Sequence, residues 1–161
     1  MTQLNEIYNQ RILEFSANIP DTPRLDKPDA TATAHSKLCG STVTVDIELT
    51  GDRVTGFGQT VKACLLGQAA ASVIGHNILG SHAQELRDVA AAMRKMLKAD
   101  GPPPGGRWAD LAVLQPVKDY KARHASTMLV FDAVEKALGE AEEKHSASDE
   151  HAGAPASSPG A

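Results

Sequence analysis

The chain has 161 residues, 42% of them hydrophobic, 4% aromatic and 22% charged, with a net charge of −4. That length fits one domain, and the acidic balance speaks against non-specific nucleic-acid binding, which needs a basic surface. No apolar run approaches the roughly 20 residues that span a bilayer, and Met1-Thr2-Gln3-Leu4 is not the start of a secretory signal.

Those features place the protein in the cytoplasm, where thiols stay reduced. Cys39 and Cys64, the two cysteines, are therefore read as buried hydrophobes, metal ligands or reactive thiols, not as a disulfide.

Leu4, Ile7, Tyr8, Ile12, Phe15 and Ile19 recur at helical steps and predict an amphipathic helix over about 3–17. Pro20 and Pro23 stop it, and residues 20–31 read as an extended connector. A short Thr/Ala-rich strand is predicted within 30–37. From Ser41 the period changes to two: Val43, Val45, Ile47 and Leu49 point one way, Thr42, Thr44, Asp46 and Glu48 the other. Thr50-Gly51-Asp52 is a tight turn, and Arg53–Ala63 returns as a second strand with Phe57, Val61 and Ala63 on one face. Gly56 and Gly58 in it mark a bulge or a close backbone approach. This hairpin brings Cys64 back to the end of the sheet where Cys39 began.

Residues 64–79 are small and apolar and predict a buried helix ending at Gly80. Ser81 with Gln84 reads as a capping box for a helix over 82–98, with Leu86, Val89, Ala90, Met93 and Leu97 inward. The Pro/Gly-rich stretch 100–106 is a loop and lacks the spacing of a phosphate-binding loop. A short helix over Trp108–Leu114 follows, and Pro116 interrupts the chain after it. A last helix is predicted over 124–143, with Leu129, Val130, Ala133, Val134, Ala137 and Leu138 inward. The Ser/Ala/Gly/Pro-rich remainder reads as a disordered tail, so the domain is 1–143 and the tail 144–161. The expected fold is α+β, a small antiparallel sheet of about three strands with helices packed on one side.

With both cysteine contexts and the last helix in place, the chain resembles the iron–sulfur cluster assembly scaffolds, the family of IscU, SufU and the N-terminal domain of NifU. The likeness runs through Glu6-Ile7-Tyr8, Cys39-Gly40, Cys64 at the head of an Ala/Ser-rich helix, Ser126-Thr127-Met128-Leu129 and Asp132-Ala133-Val134. The long interval between Cys64 and Ser126 is similar to that of SufU. The family's site has three cysteines. Its aspartate falls on Ser41 here, its third cysteine on Ser126, and its histidine on Ala125, one position after His124.

The resemblance implies a scaffold or iron/sulfur carrier built on Cys39 and Cys64, holding a transient 2Fe–2S cluster, with a cysteine desulfurase and acceptor apo-proteins as partners. It names Cys39 as the acceptor of persulfide. His124, or more weakly His35, could join the cysteines in a site for iron or zinc, since such sites want about four soft donors. The alternatives are a zinc-dependent sulfurtransferase that relays persulfide, and a degenerate member that only binds partners. Scaffold and carrier are not enzymes; the sulfurtransferase would be one. Neither nucleic acid nor membrane is expected as a partner, and the chain would be a monomer or weak homodimer. Each residue also has a plainer use. Cys64 suits a buried apolar position, Ser126 an N-cap, and His124 a surface or capping place. His76, His82, His145 and His151 are expected at the surface.

Overall fold

The computed structural model describes residues 10–20, 22–37 and 40–157, those beyond 144 by backbone alone. Cys39, the first turns of the predicted N-terminal helix and the end of the tail lie outside the described residues, as do the side chains of His145 and His151.

Helix α1 is Gln10–Ala17, and three strands follow: β1 Ala30–His35, β2 Thr42–Thr50 and β3 Arg53–Lys62. They form one antiparallel sheet in the order β1-β2-β3. The alternation in β2 is the reason: Val43, Val45, Ile47 and Leu49 are all buried. Each such side chain contributes about 1.5–3 kcal/mol on burial. At the turn Gly51 takes φ 65°, and Thr50 pairs with Arg53. Further along, Glu48 pairs with Gly56 but Leu49 with Val54, leaving Thr55 as the extra residue of a bulge.

Helices α2 (Leu65–Asn77), α3 (Ala83–Ala99) and α4 (His124–Ser157) complete the layer. α4 packs on β1 and β2, α2 on β3 and α1, and α3 on α4. The core is mainly aliphatic, with Ile47, Leu66, Ile74, Met93, Leu114 and Leu129 fully buried alongside Phe131. No described helix is long and apolar enough to cross a membrane.

The opposite face of the sheet is not simply open. Asp46, on the polar side of β2, is fully buried. The connector crosses over it: Arg24 Nε and Nη2 donate to the Asp46 carboxylate at 2.5 and 3.1 Å, Leu25 N at 3.0 Å and Thr31 Oγ1 at 2.6 Å. Burial alone would push this carboxyl up. The hydrogen bonds, led by Arg24, outweigh it and hold Asp46 below its ordinary value. Along the outer edge of β3, Gln59 N donates to Thr22 O at 3.0 Å, so the connector also covers that strand's free edge.

Three local expectations change. The capping pair of α3 is His82 and Glu85, one residue later than Ser81 and Gln84: His82 N donates to Glu85 Oε1 at 3.4 Å. Ser81 is instead buried, its hydroxyl donating to Asn77 O at 3.2 Å and accepting from Arg107 Nη1 at 3.2 Å. The short helix near Trp108 is a run of 3-10 turns over Gly106–Asp119 that passes through Pro116. Proline in such a run forfeits only one donor, and Trp108, Leu111, Leu114 and Val117 supply the burial. The backbone of α4 continues past residue 143 to Ser157, through a stretch that holds four alanines but also Gly153 and Pro155.

Candidate functional site

One end of the sheet gathers the candidate residues. His35, Thr42 and Lys62 form a row across the three strands. The β1–β2 loop, which contains position 39, closes at this end: Ser36 N donates to Ser41 O, and Gly40 N to Ser36 O, both at 2.9 Å. Cys64 follows β3 at the same end as the N-cap residue of α2, in extended backbone (φ −68°, ψ 174°). It is half-buried and its thiol is free. Its carbonyl accepts from Gln68 N at 2.9 Å, while Gln68 Nε2 donates back to Ala63 O at 2.8 Å. The first turn of α2 is thus held from both sides. A helix N-terminus favours negative charge, which suits a thiolate or a bound sulfide there.

The first turn of α4 lies against that of α2. Gly67 sits under the Ser126 carbonyl, so close that a methyl on Gly67 would be 3.0 Å from that oxygen. Ser126 is buried, 3% exposed, and is not an N-cap: α4 already begins at His124. Ser126 Oγ donates back to Arg123 O at 3.2 Å, and Thr127 Oγ1 to the same oxygen at 2.8 Å. Ser41 is also buried. Ser41 and Ser126 are thus both buried hydroxyls, Ser41 at Cys64's end of the sheet and Ser126 against the first turn of α2.

His124 is buried, 8% exposed, not a surface residue. Its Nε2 stands 3.0 Å from Val117 O and 3.1 Å from Lys118 O. Two carbonyl acceptors fix that nitrogen as the N–H donor, which leaves Nδ1 as the only ring atom able to bind a metal. His124 thus ties the 3-10 segment to the head of α4. His35 is exposed and shares its sheet face with Thr31 and Thr33, away from the helices. His76 and His82 are exposed, as expected; His82 Nδ1 lies 3.1 Å from Asp52 Oδ1.

Among the described residues, no three His, Cys, Asp or Glu side chains converge as a metal site. A cleft of about 650 Å³ opens beside His124 and Ala125, with Arg94, Lys98, Lys118 and Lys121 on its walls. Its cations are largely answered from within: Arg94 pairs with Asp132 at 2.9 Å and with Glu135, and Lys118 with Asp100 at 2.6 Å. The residue that reading the sequence overlooked is Gly67. A glycine inside an otherwise Ala-rich helix was the available signal.

No protein-family model matches the chain. A nitrogen-fixing NifU-like protein (N-terminal) from Brucella abortus is 54% identical in sequence, with a TM-score of 0.86 over 88% of this chain and 99% of that one. The iron–sulfur cluster assembly scaffold protein IscU of Thermotoga maritima is 23% identical over 134 residues, 82% of this chain and 92% of the relative. A protein described as a scaffold for the SUF system, from Fervidobacterium islandicum, shares the fold with a TM-score of 0.76 at 20% identity, over 83% of this chain and 98% of its own. With 54% identity across 99% of a NifU-like N-terminal domain, the chain belongs to the IscU/SufU/NifU family of iron–sulfur cluster assembly scaffolds.

Proposed function

We propose that the chain acts in iron–sulfur cluster assembly as a scaffold or carrier, with the thiolates of Cys39 and Cys64 as its sulfur ligands. The cluster, a 2Fe–2S unit, is cargo, and the remaining coordination comes from outside the chain, from a partner protein or solvent. The observation that supports this most is the 54% identity over the whole of a NifU-like N-terminal domain. The donor chemistry sharpens it. Clusters and zinc want about four soft ligands, and the hydroxyls of Ser41 and Ser126 stay protonated at neutral pH. A two-thiolate site retains cargo weakly, as a carrier should. The same shortfall bears hardest on the zinc-dependent sulfurtransferase, which needs a resident ion held by a full ligand set.

Sulfur would arrive from a cysteine desulfurase. The Cys39 thiolate attacks the outer sulfur of the desulfurase persulfide. The sulfur–sulfur bond there breaks, the desulfurase cysteine leaves as thiolate, and Cys39 holds the transferred sulfur. The acceptors of the finished cluster are apo-proteins. We place this work in the cytoplasm, in a monomer or weak homodimer whose working unit is residues 1–143.

Anaerobic reconstitution with ferrous iron and sulfide tests the reading. The desalted protein should show visible cluster absorption that Cys39→Ala and Cys64→Ala abolish. Absorption that survives both substitutions, or never appears, overturns it.

A further inference from the structure

We propose that Gly67 is a positioning residue whose missing methyl sets the spacing between the Cys64 turn of α2 and the Ser126 turn of α4, and with it the geometry available to cargo. The inference rests on the cysteine-based reading above. A methyl at Gly67 would lie 2.8 Å from Ala63 Cβ and 3.0 Å from Ser126 O. Real side chains do not make the first contact, and the second is against backbone, which cannot swing aside. One absent methyl therefore separates the residue before Cys64 from the carbonyl of Ser126.

Conformation does not explain the glycine. Gly67 lies within α2 and is not among the residues with positive φ. Gly67 is the third residue of α2, and even in a first turn glycine is a poorer helix former than alanine, so propensity does not select it. Gly139 in α4 is the contrast: a methyl there would meet nothing within 4 Å. Nor can the neighbours absorb the strain by rotating. Ala63 has no rotamer, Ala69 and Ala70 behind Gly67 are fully buried, and the turn is tied by Gln68 to Ala63 O. An added methyl must move the two first turns apart or displace Ala63, and with it Cys64. Ligand placement tolerates only about 0.5 Å of error.

The test has two arms on the full chain. In the first, wild type, Gly67→Ala, Gly67→Ala/Ala63→Gly and Gly139→Ala are reconstituted anaerobically with ferrous iron and sulfide and desalted. Visible circular dichroism and bound iron report the site; urea midpoints report the fold. Gly67→Ala should retain iron about tenfold less well or worse, the scale typical of losing support around a metal site, with a changed dichroism spectrum. Ala63→Gly relieves one contact only; it should recover stability but not the spectrum. Gly139→Ala should stabilise the helix and leave the spectrum alone. Wild-type iron and spectrum in Gly67→Ala, or full spectral rescue by Ala63→Gly, overturns the proposal.

The second arm needs no cluster. Cys39→Ser/Ser126→Cys protein is oxidised with diamide, and the disulfide from Cys64 to position 126 is followed by peptide mass. Disulfides form only within narrow Cα separations, so adding Gly67→Ala should slow formation at least about fivefold. An equal rate, or no disulfide in the parent, overturns the spacing. If this arm succeeds while wild type never binds a cluster, the spacing set by Gly67 stands and the functional reading fails, and with it the link to cargo. Should Gly67→Ala not fold, Gly67→Ala/Ala63→Gly in the parent of this arm removes the 2.8 Å contact and keeps the 3.0 Å contact with Ser126 O, with the same two outcomes.

Discussion

Asp46 stands opposite Gly58 across the β2–β3 ladder, and the bare Cα of Gly58 is what lets the connector reach the carboxylate. A methyl on Gly58 would fall 2.4 Å from Pro23 O and 3.1 Å from Arg24 Cα. With only hydrogen there, the chain crosses the sheet and delivers Arg24 and Leu25 N to Asp46. Gly58→Ala must push that crossing away. It should destabilise the protein by about 1–3 kcal/mol, as overpacking does, seen as a lower urea midpoint with an unchanged slope. A neutral or stabilising result would show that the connector is not pressed against the strand.

The same carboxylate gives the fold a defined acid response. Asp46 is fully buried, and its hydrogen bonds, outweighing burial, depress its folded pKa below 3.8. A depressed folded value means stability that is complete above the unfolded pKa and lost as pH falls through the folded one. Arg24 is half-exposed, so solvent screens its part of the bond. Asp46→Asn should cost about 1–3 kcal/mol at neutral pH by breaking the hydrogen bonds that offset the burial of this group. As pH falls below the ordinary carboxylate value and on through the lower folded one, the two proteins should converge. Urea titrations across that range decide it: a constant gap down to low pH would remove Asp46 as the acid-sensitive group.

Much of this architecture was legible because burial and period coincide. Val43 through Leu49 alternate on a strand with one apolar face, and α3 keeps Leu86, Val89, Ala90, Met93 and Leu97 on one stripe. What failed to show depends on contacts distant in sequence. Nothing local says that Asp46 is covered, because its cover comes from Arg24 on a separate segment. Ser81 and Gln84 satisfy the capping pattern as well as His82 and Glu85. The choice is made by the bridge of Arg53 to His82 and the bond from Val54 N to Ser81 O, which pin the α2–α3 turn to the sheet. Ser126 looked like a cap because its type is right, but α4 starts earlier, where His124 locks the approach. The hairpin alone brings Cys64 back beside the loop that ends at Ser41; only family likeness added the Ser126 turn, and spacing alone says nothing of Gly67.

His124 as a clamp makes a separable claim. Removing its ring leaves the Val117 and Lys118 carbonyls without the donor they now share and empties a buried position. His124→Ala should lower stability by about 1–3 kcal/mol and loosen the 3-10 segment, visible as faster amide exchange there. Iron retention after reconstitution should fall far less than in Cys64→Ala. If His124→Ala keeps its stability but loses iron as completely as Cys64→Ala, then Nδ1 is a ligand and the clamp is secondary.

We infer that Ser126 occupies the place of the family's third cysteine, and its environment says what sulfur there would do. The side chain is 3% exposed and its hydroxyl donates to Arg123 O at 3.2 Å. Thr127 Oγ1 donates to the same oxygen at 2.8 Å, so that acceptor stays satisfied if the serine bond is lost. A thiol is slightly larger and a weak donor, so Ser126→Cys should cost about 1 kcal/mol or less and leave the fold intact. Chemically it converts a protonated hydroxyl into a third thiolate donor. Reconstituted Ser126→Cys should hold more iron per chain than wild type and release it more slowly to a chelator. The gain should vanish when Cys64→Ala is combined with it. If Ser126→Cys folds and retains no more iron than wild type, position 126 does not face the cargo, and coordination rests on Cys39, Cys64 and groups from a partner.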